Sequence, residues 1–179
     1  MNGHWWLGLA GLALLATAGP ISAQNSRMRI ALPAFGAQIV MDTIGDVQRV
    51  QAPPHRVFVA ASLVLNNLRI PIDVSDSVAG LVGAVKLMRN RNLAGTALSR
   101  YLECGQSMTG PRADSHRVHM PLLLMLAPAP DHTTDLRIAL VASAQDNAGT
   151  SNTPVQCGSS GLLESQLRKA INEQLKVLP

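Results

Sequence analysis

The C-terminal segment constrains the fold most. Leu163, Leu167, Ala170, Ile171, Leu175 and Leu178 recur at i, i+3, i+4 spacing, with Glu164, Arg168, Lys169, Asn172, Glu173 and Lys176 between them. One apolar stripe on a charged helix means that the helix covers another element on one side only. Ser160 or Gly161 can cap its start, and Glu164 sits in the first turn, where the helix dipole favours a carboxylate. Glu164–Arg168 and Lys169–Glu173 stand as i, i+4 pairs in the favourable order.

The upstream pattern supplies a sheet for this helix to cover. Ala37 to Asp42 and Val47 to Gln51 read as a short hairpin turned by Gly45-Asp46. Pro53-Pro54 then opens a helix over 54–66, with Val57, Ala61, Val64, Leu65 and Leu68 on one side. Phe58, Val59 and Leu63 make its other side apolar too, so the segment is either a helix buried on most faces or a Val-rich strand. Ile70, Ile72 and Val74 alternate as a half-buried strand, Ser75-Asp76-Ser77 turns the chain, and Val78 to Val85 is the partner. Within that partner Gly80 and Gly83 leave room for a close approach. Residues 86–112 read as irregular, with a helical turn or two over Ala97 to Glu103. His116 to Ala127 and Leu136 to Ala144 read as two long strands joined by the hairpin-length linker Pro128 to His132. A polar loop over Ser143 to Thr153 and a short extended Val155 to Cys157 complete the order. The expectation is an α+β domain: an antiparallel sheet with a helix after the first strands and a long C-terminal amphipathic helix packed on one face.

The N-terminus reads as a leader for export. Trp5 to Ala18 is apolar and uncharged, Gly19-Pro20 breaks it, and Ile21-Ser22-Ala23 offers a small-residue cleavage site. The expected organisation is a signal peptide over 1–23 and a single domain over 24–179, periplasmic or secreted, with no membrane span after cleavage. The n-region lacks Lys and Arg, so an uncleaved anchor is the alternative. Cys104 and Cys157 agree with an oxidising compartment and are expected to form one structural bridge. A redox pair would more often show C-x-x-C spacing, absent here.

Beyond the leader, which holds both Trp residues, the aromatics are Phe35, Phe58 and Tyr101. The core is therefore aliphatic. Sites that stack sugars or single-stranded nucleic acid on aromatic faces have little to build on, and no nucleic-acid partner is expected. The net charge is +4. The whole excess lies between Lys86 and Arg117, where Lys86, Arg89, Arg91, Arg100, Arg112 and Arg117 face only Glu103 and Asp114. This segment is either a solvated face or a patch for an anionic partner such as a lipid head group.

Val50 to Val57 running into a Pro-started helix, followed by Leu68-Arg69-Ile70-Pro71-Ile72-Asp73-Val74, resembles the opening of helix-grip domains. These occur in the outer-membrane assembly lipoprotein BamC and in the START-like group. The resemblance implies a helix gripped by an antiparallel sheet and covers most of the chain in element order. No lipidation cysteine follows the apolar run, so BamC's anchoring is not implied. Tyr101-Leu102-Glu103-Cys104-Gly105, Ala113-Asp114 and Cys157 to Glu164 resemble exported bacterial proteins with paired Cys-Gly motifs, a group that lends no activity.

Catalytic patterns are weak throughout. His116 and His119, three apart in a strand, point to opposite faces and do not make a metal pair. Gly158-Ser159-Ser160-Gly161 could bind an anion at a helix start, but Ser and Gly are also ordinary caps. His55, His132, Asp114 and several Ser have no triad spacing, and the carboxylates are scattered. Met120 and Met125 face opposite ways, as core filling does. The expectation is a non-enzymatic envelope protein without cofactor. It would bind an apolar ligand or partner segment between helix and sheet, with Gly80 and Gly83 beneath it. The alternatives are an assembly protein using the 86–117 segment and a small hydrolase with a histidine hydrogen-bonded to an acid.

Overall fold

The computed structural model describes residues 28–146 and 153–178. The expected leader and its cleavage site lie outside them, as does most of the expected polar loop.

Beyond a short N-terminal segment, the chain begins with β1 (Val47–Val50) and α1 (Pro54–Asn67), then β2 (Val74–Asp76), β3 (Leu81–Ala84), β4 (Met88–Asn90) and β5 (Leu102–Glu103). A helical turn, α2 (Arg112–Ser115), precedes β6 (Arg117–His119), β7 (Leu122–Ala129), β8 (Thr133–Leu140) and β9 (Ala142–Gln145). Last come β10 (Val155–Ser159) and α3 (Leu162–Val177). The fold is α+β, with every strand pair among the described residues antiparallel. One five-stranded sheet runs β1-β8-β7-β3-β2 and the other β4-β6-β9-β10-β5.

Three continuous ribbons cross from one sheet to the other. The two strands expected over 116–127 and 136–144 each break once, giving β6 and β7 on one side and β8 and β9 on the other. The cause is Pro121, which has no N–H for the ladder. Its carbonyl accepts the Val141 N–H at 3.2 Å, so both strands bend at the same level. The third ribbon bends alongside, where the Leu87 carbonyl accepts the Met120 N–H at 2.9 Å. The result is a half-barrel, with α1 and α3 packed on the β1-β8-β7-β3-β2 sheet. At its far end the β7–β8 hairpin turns through Asp131 and His132, both at positive φ, a conformation for which Asp and His are enriched.

α1 stops as a Schellman motif. The Ile70 N–H reaches the Leu65 carbonyl, the Arg69 N–H reaches Asn66, and Arg69 takes the left-handed conformation at φ 55°. Ile70 is buried as part of this stop. That is why the strand expected from Ile70 begins only at Val74, and β2 runs through Asp76 before the turn. α1 also proves less buried than its composition suggests: Val57, Ala60, Ala61, Val64 and Leu65 are buried, while Val59 and Leu63 are 46% and 38% exposed.

α3 buries Leu163, Leu167 and Ile171 against α1 and β8, as its stripe requires. Arg56, in the first turn of α1, donates to the Leu175 and Leu178 carbonyls at the end of α3. The Glu164–Arg168 pair does not form. Glu164 accepts from the Ser159 hydroxyl at 2.6 Å, and that hydroxyl accepts the Gly161 N–H at 3.0 Å. Arg168 donates to the Asp46 carbonyl instead. Lys169–Glu173 forms at 3.9 Å between exposed groups.

The expected 37–42 hairpin with β1 is replaced by a different pairing. Ile39–Val40 pairs with Arg29–Ile30, whereas β1 pairs with β8. Residues 28–44 thereby form a strap across the sheet face opposite the helices, where Met41 packs with Leu123 and Ala139 and draws in Met28, Ile30, Ile39 and Ile44. Gly45, at φ 80°, makes the turn from strap to β1 against the Ile138 carbonyl, leaving no room for a Cβ.

Cys104 and Cys157 are bridged across a sequence separation of 53 residues. The β5–β10 register continues to them, so the bridge joins directly opposed residues. Reduction, or the Cys104→Ala/Cys157→Ala double variant, should lower the unfolding free energy by about 4 kcal/mol in the chain-entropy account, read from urea denaturation with and without reductant. The room left by Gly80 and Gly83 is taken up within the sheet, since a Cβ on either would strike the backbone carbonyl of Leu126 or Leu122 on β7. Gly83→Ala should cost roughly 1–3 kcal/mol, seen as a lower urea midpoint. Gly158→Ala, with open space around it, should leave the midpoint near wild type.

Candidate functional site

The interior between the helices and the half-barrel is closely filled. Leu163, Leu167 and Ile171 of α3 and Val57, Ala61 and Leu65 of α1 meet Leu122, Leu124, Leu136 and Ile138 of the sheet, each 1% exposed or less. Two concavities lie outside this interior. One, of about 480 Å³, is a trough between Gln48 on β1 and the polar side of α3. Its charged rim stands in solvent: Lys169 and Glu173 are 80% and 61% exposed. The other, of about 250 Å³, lies where strap residues Leu32 and Pro33 cross the bend at Leu87-Met88 and Pro121, with Ala31, Val85, Lys86 and His119 completing the lining.

The basic segment collects at the end of the molecule that holds the second cavity. β4 is a free edge of its sheet, and Arg117 on β6 stands across from Asn90. Lys86 and Arg91 flank β4 in the chain. α2 touches both β4 and the 98–100 turn, bringing Arg112 and Arg100 to the same end. Lys86, Arg91, Arg100 and Arg117 are exposed and Arg112 is half-buried. Arg89 has a structural task, donating to the Arg69 carbonyl at 2.7 Å and the Met88 carbonyl at 3.0 Å. The ion pairs Arg49–Asp135 and Lys169–Glu173 lie away from these six bases. Asp114 is engaged by the Ser99 N–H at 2.8 Å. The tip of the hairpin after Cys104 carries Met108, which is fully exposed.

The histidines are dispersed. His116 is not in β6 but follows α2, with Nδ1 3.1 Å from the Ser115 hydroxyl. His132 is exposed at the β7–β8 turn and His55 is exposed in the first turn of α1. Among the described residues no hydrogen bond joins a histidine to an acid, and no three metal-ligating side chains converge. His119 lies on the strap-covered face, opposite Met88 on one side and Ser143 on the other. The Ser143 hydroxyl is fully buried there without a partner among the described residues, and Gln156 beside it donates to the Ala34 carbonyl of the strap at 2.9 Å. Sequence reasoning missed this site because its roof is the strap, whose strands are two residues each and carry no readable period.

Partial burial first, and the Arg117 charge second, hold His119 below its ordinary value of 6.5. The unfolded chain therefore takes up this proton more readily than the folded one. The contribution of His119 to stability is complete above about 6.5 and is lost as pH falls through the lower folded value. His119→Asn should flatten the pH dependence of the thermal midpoint in that window, and an NMR titration should place the His119 ring below the ordinary imidazole value of 6.5.

No protein-family model matches this chain, and a search of the curated proteins returned no match.

Proposed function

We propose that this chain is an exported, non-enzymatic protein of the bacterial envelope that binds an anionic amphiphile through its basic end. The observation that carries this reading is the convergence of five bases, Lys86, Arg91, Arg100, Arg112 and Arg117, around one sheet edge. Such a patch raises the local concentration of anions and is weakened by salt. The disulfide agrees with export. The close packing between α3 and the sheet turns attention from that space to the outer basic end, where the exposed Met108 adds an apolar contact.

Native mass spectrometry of the oxidised protein purified from its own envelope compartment tests this. The wild type should carry a lipid-like adduct. An Arg91→Glu/Arg100→Glu/Arg117→Glu variant with an unchanged thermal midpoint should lose it. Bare mass in both, or an adduct retained by the variant, would overturn the reading.

A further inference from the structure

At one end of the basic face the surface is a cavity, not open ground, and its walls differ from its cations. Leu32, Pro33, Leu87, Met88 and Pro121 supply apolar wall, while Lys86 and His119 are the polar contributors. Leu87 on the body is 2% exposed and Leu32 on the strap 8%, whereas Met88 is 51% exposed. Arg117, two residues before His119 on β6, shares its face and adds a second fixed positive charge. The neighbouring acid, Asp73, has both carboxylate oxygens occupied by the Val85 and Lys86 N–H groups at 2.7 and 2.8 Å.

The geometry points to a binding site for a small carboxylate bearing a short alkyl chain, with the chain between strap and sheet bend and the carboxylate at Lys86. An apolar cup with a few placed polar groups is the usual form of a small-molecule site, and a half-open notch of about 250 Å³ fits a short chain. The sign of the head group follows from Lys86 and Arg117. The neutral tendency of His119 leaves it able to donate or accept a hydrogen bond. This inference rests on the anionic-amphiphile reading and names the part of the surface that would take the apolar portion.

The probes are butanoate, hexanoate and octanoate, with hexylammonium as the charge control, followed by NMR of the Met88, Leu32 and Leu87 methyl groups. Hexanoate should shift these methyls. Affinity should rise roughly fourfold per added CH₂ until the cavity is full and then level off. Lys86→Gln should weaken hexanoate roughly twofold to fivefold, as for an exposed ion pair. Ala31→Trp, at an exposed position on the lining, should abolish the response while leaving the thermal midpoint intact. Equal response to hexylammonium, no gain with chain length, or an Ala31→Trp protein that still binds would each overturn the site. If hexanoate fails while the envelope adduct still depends on Arg91, Arg100 and Arg117, the cavity is wrong and the broader function stands. If hexanoate binds in the cavity but no envelope adduct exists, the reverse holds.

Discussion

The missing N–H of Pro121 is the constraint on which the rest of the architecture depends. A β6–β7 strand running without interruption would give one flat ladder along the whole hairpin. Instead one ladder bond is missing at Pro121, while the Val141 N–H still closes onto the Pro121 carbonyl. The two halves then belong to different sheets, and both helices pack on the half that holds β7 and β8. Curvature matters because α1 and α3 lie side by side and need a concave surface to bury both apolar stripes. Each fully buried Leu or Ile on those stripes is worth about 2 kcal/mol, so the bend decides how much of that burial is reached. The same bend creates the outer notch at Leu87, Met88 and Pro121. One backbone defect thus shapes the core on one face and the cavity on the other.

Much of this was legible in the sequence where a pattern was long. The α3 stripe spans four turns and fixed both the helix and its buried face. The proline-started α1, the long central hairpin and the cysteine pair were likewise readable, because each rests on a local rule that tertiary context did not override. The errors fell where an element was short or where a side chain had a distant partner. Ile39 was assigned to a hairpin with β1, but a two-residue strand has no period, and its true partner lies at Ile30. Ile70 alternated convincingly with Ile72, yet its N–H closes the Schellman turn of α1. The strand assignment for His116 and Pro121 ignored the proline's own message. At the candidate site, the charges were visible in the sequence but their geometry was not.

The arginines divide into two groups, which composition cannot distinguish. Arg56, Arg89, Arg137 and Arg168 each donate to a backbone carbonyl distant in sequence, and Arg49 pairs with Asp135 across β1 and β8. These residues tie loops and helix ends that would otherwise leave carbonyls unpaired. Lys86, Arg91, Arg100, Arg112 and Arg117 make no such contact and lie at one end. A net charge of +4 is modest, but its effect is local, because the bases elsewhere are largely balanced by acids or engaged in fastening the fold.

The strap gives the molecule a seam. Its hinge is held from both sides, since Arg137 reaches the Gly45 carbonyl from β8 and Arg168 reaches the Asp46 carbonyl from α3. Beyond that hinge the strap adheres through aliphatic contact and the Gln156–Ala34 hydrogen bond, without a ladder to the main sheets. Segments attached in this way open at lower free energy than the strands beneath them. Leu32 and Pro33 belong to the strap, while Leu87 and Pro121 belong to the body. Anything lodged between them touches both sides of the seam, so occupancy and closure become one equilibrium, and whatever fills the notch also sews the N-terminal segment shut.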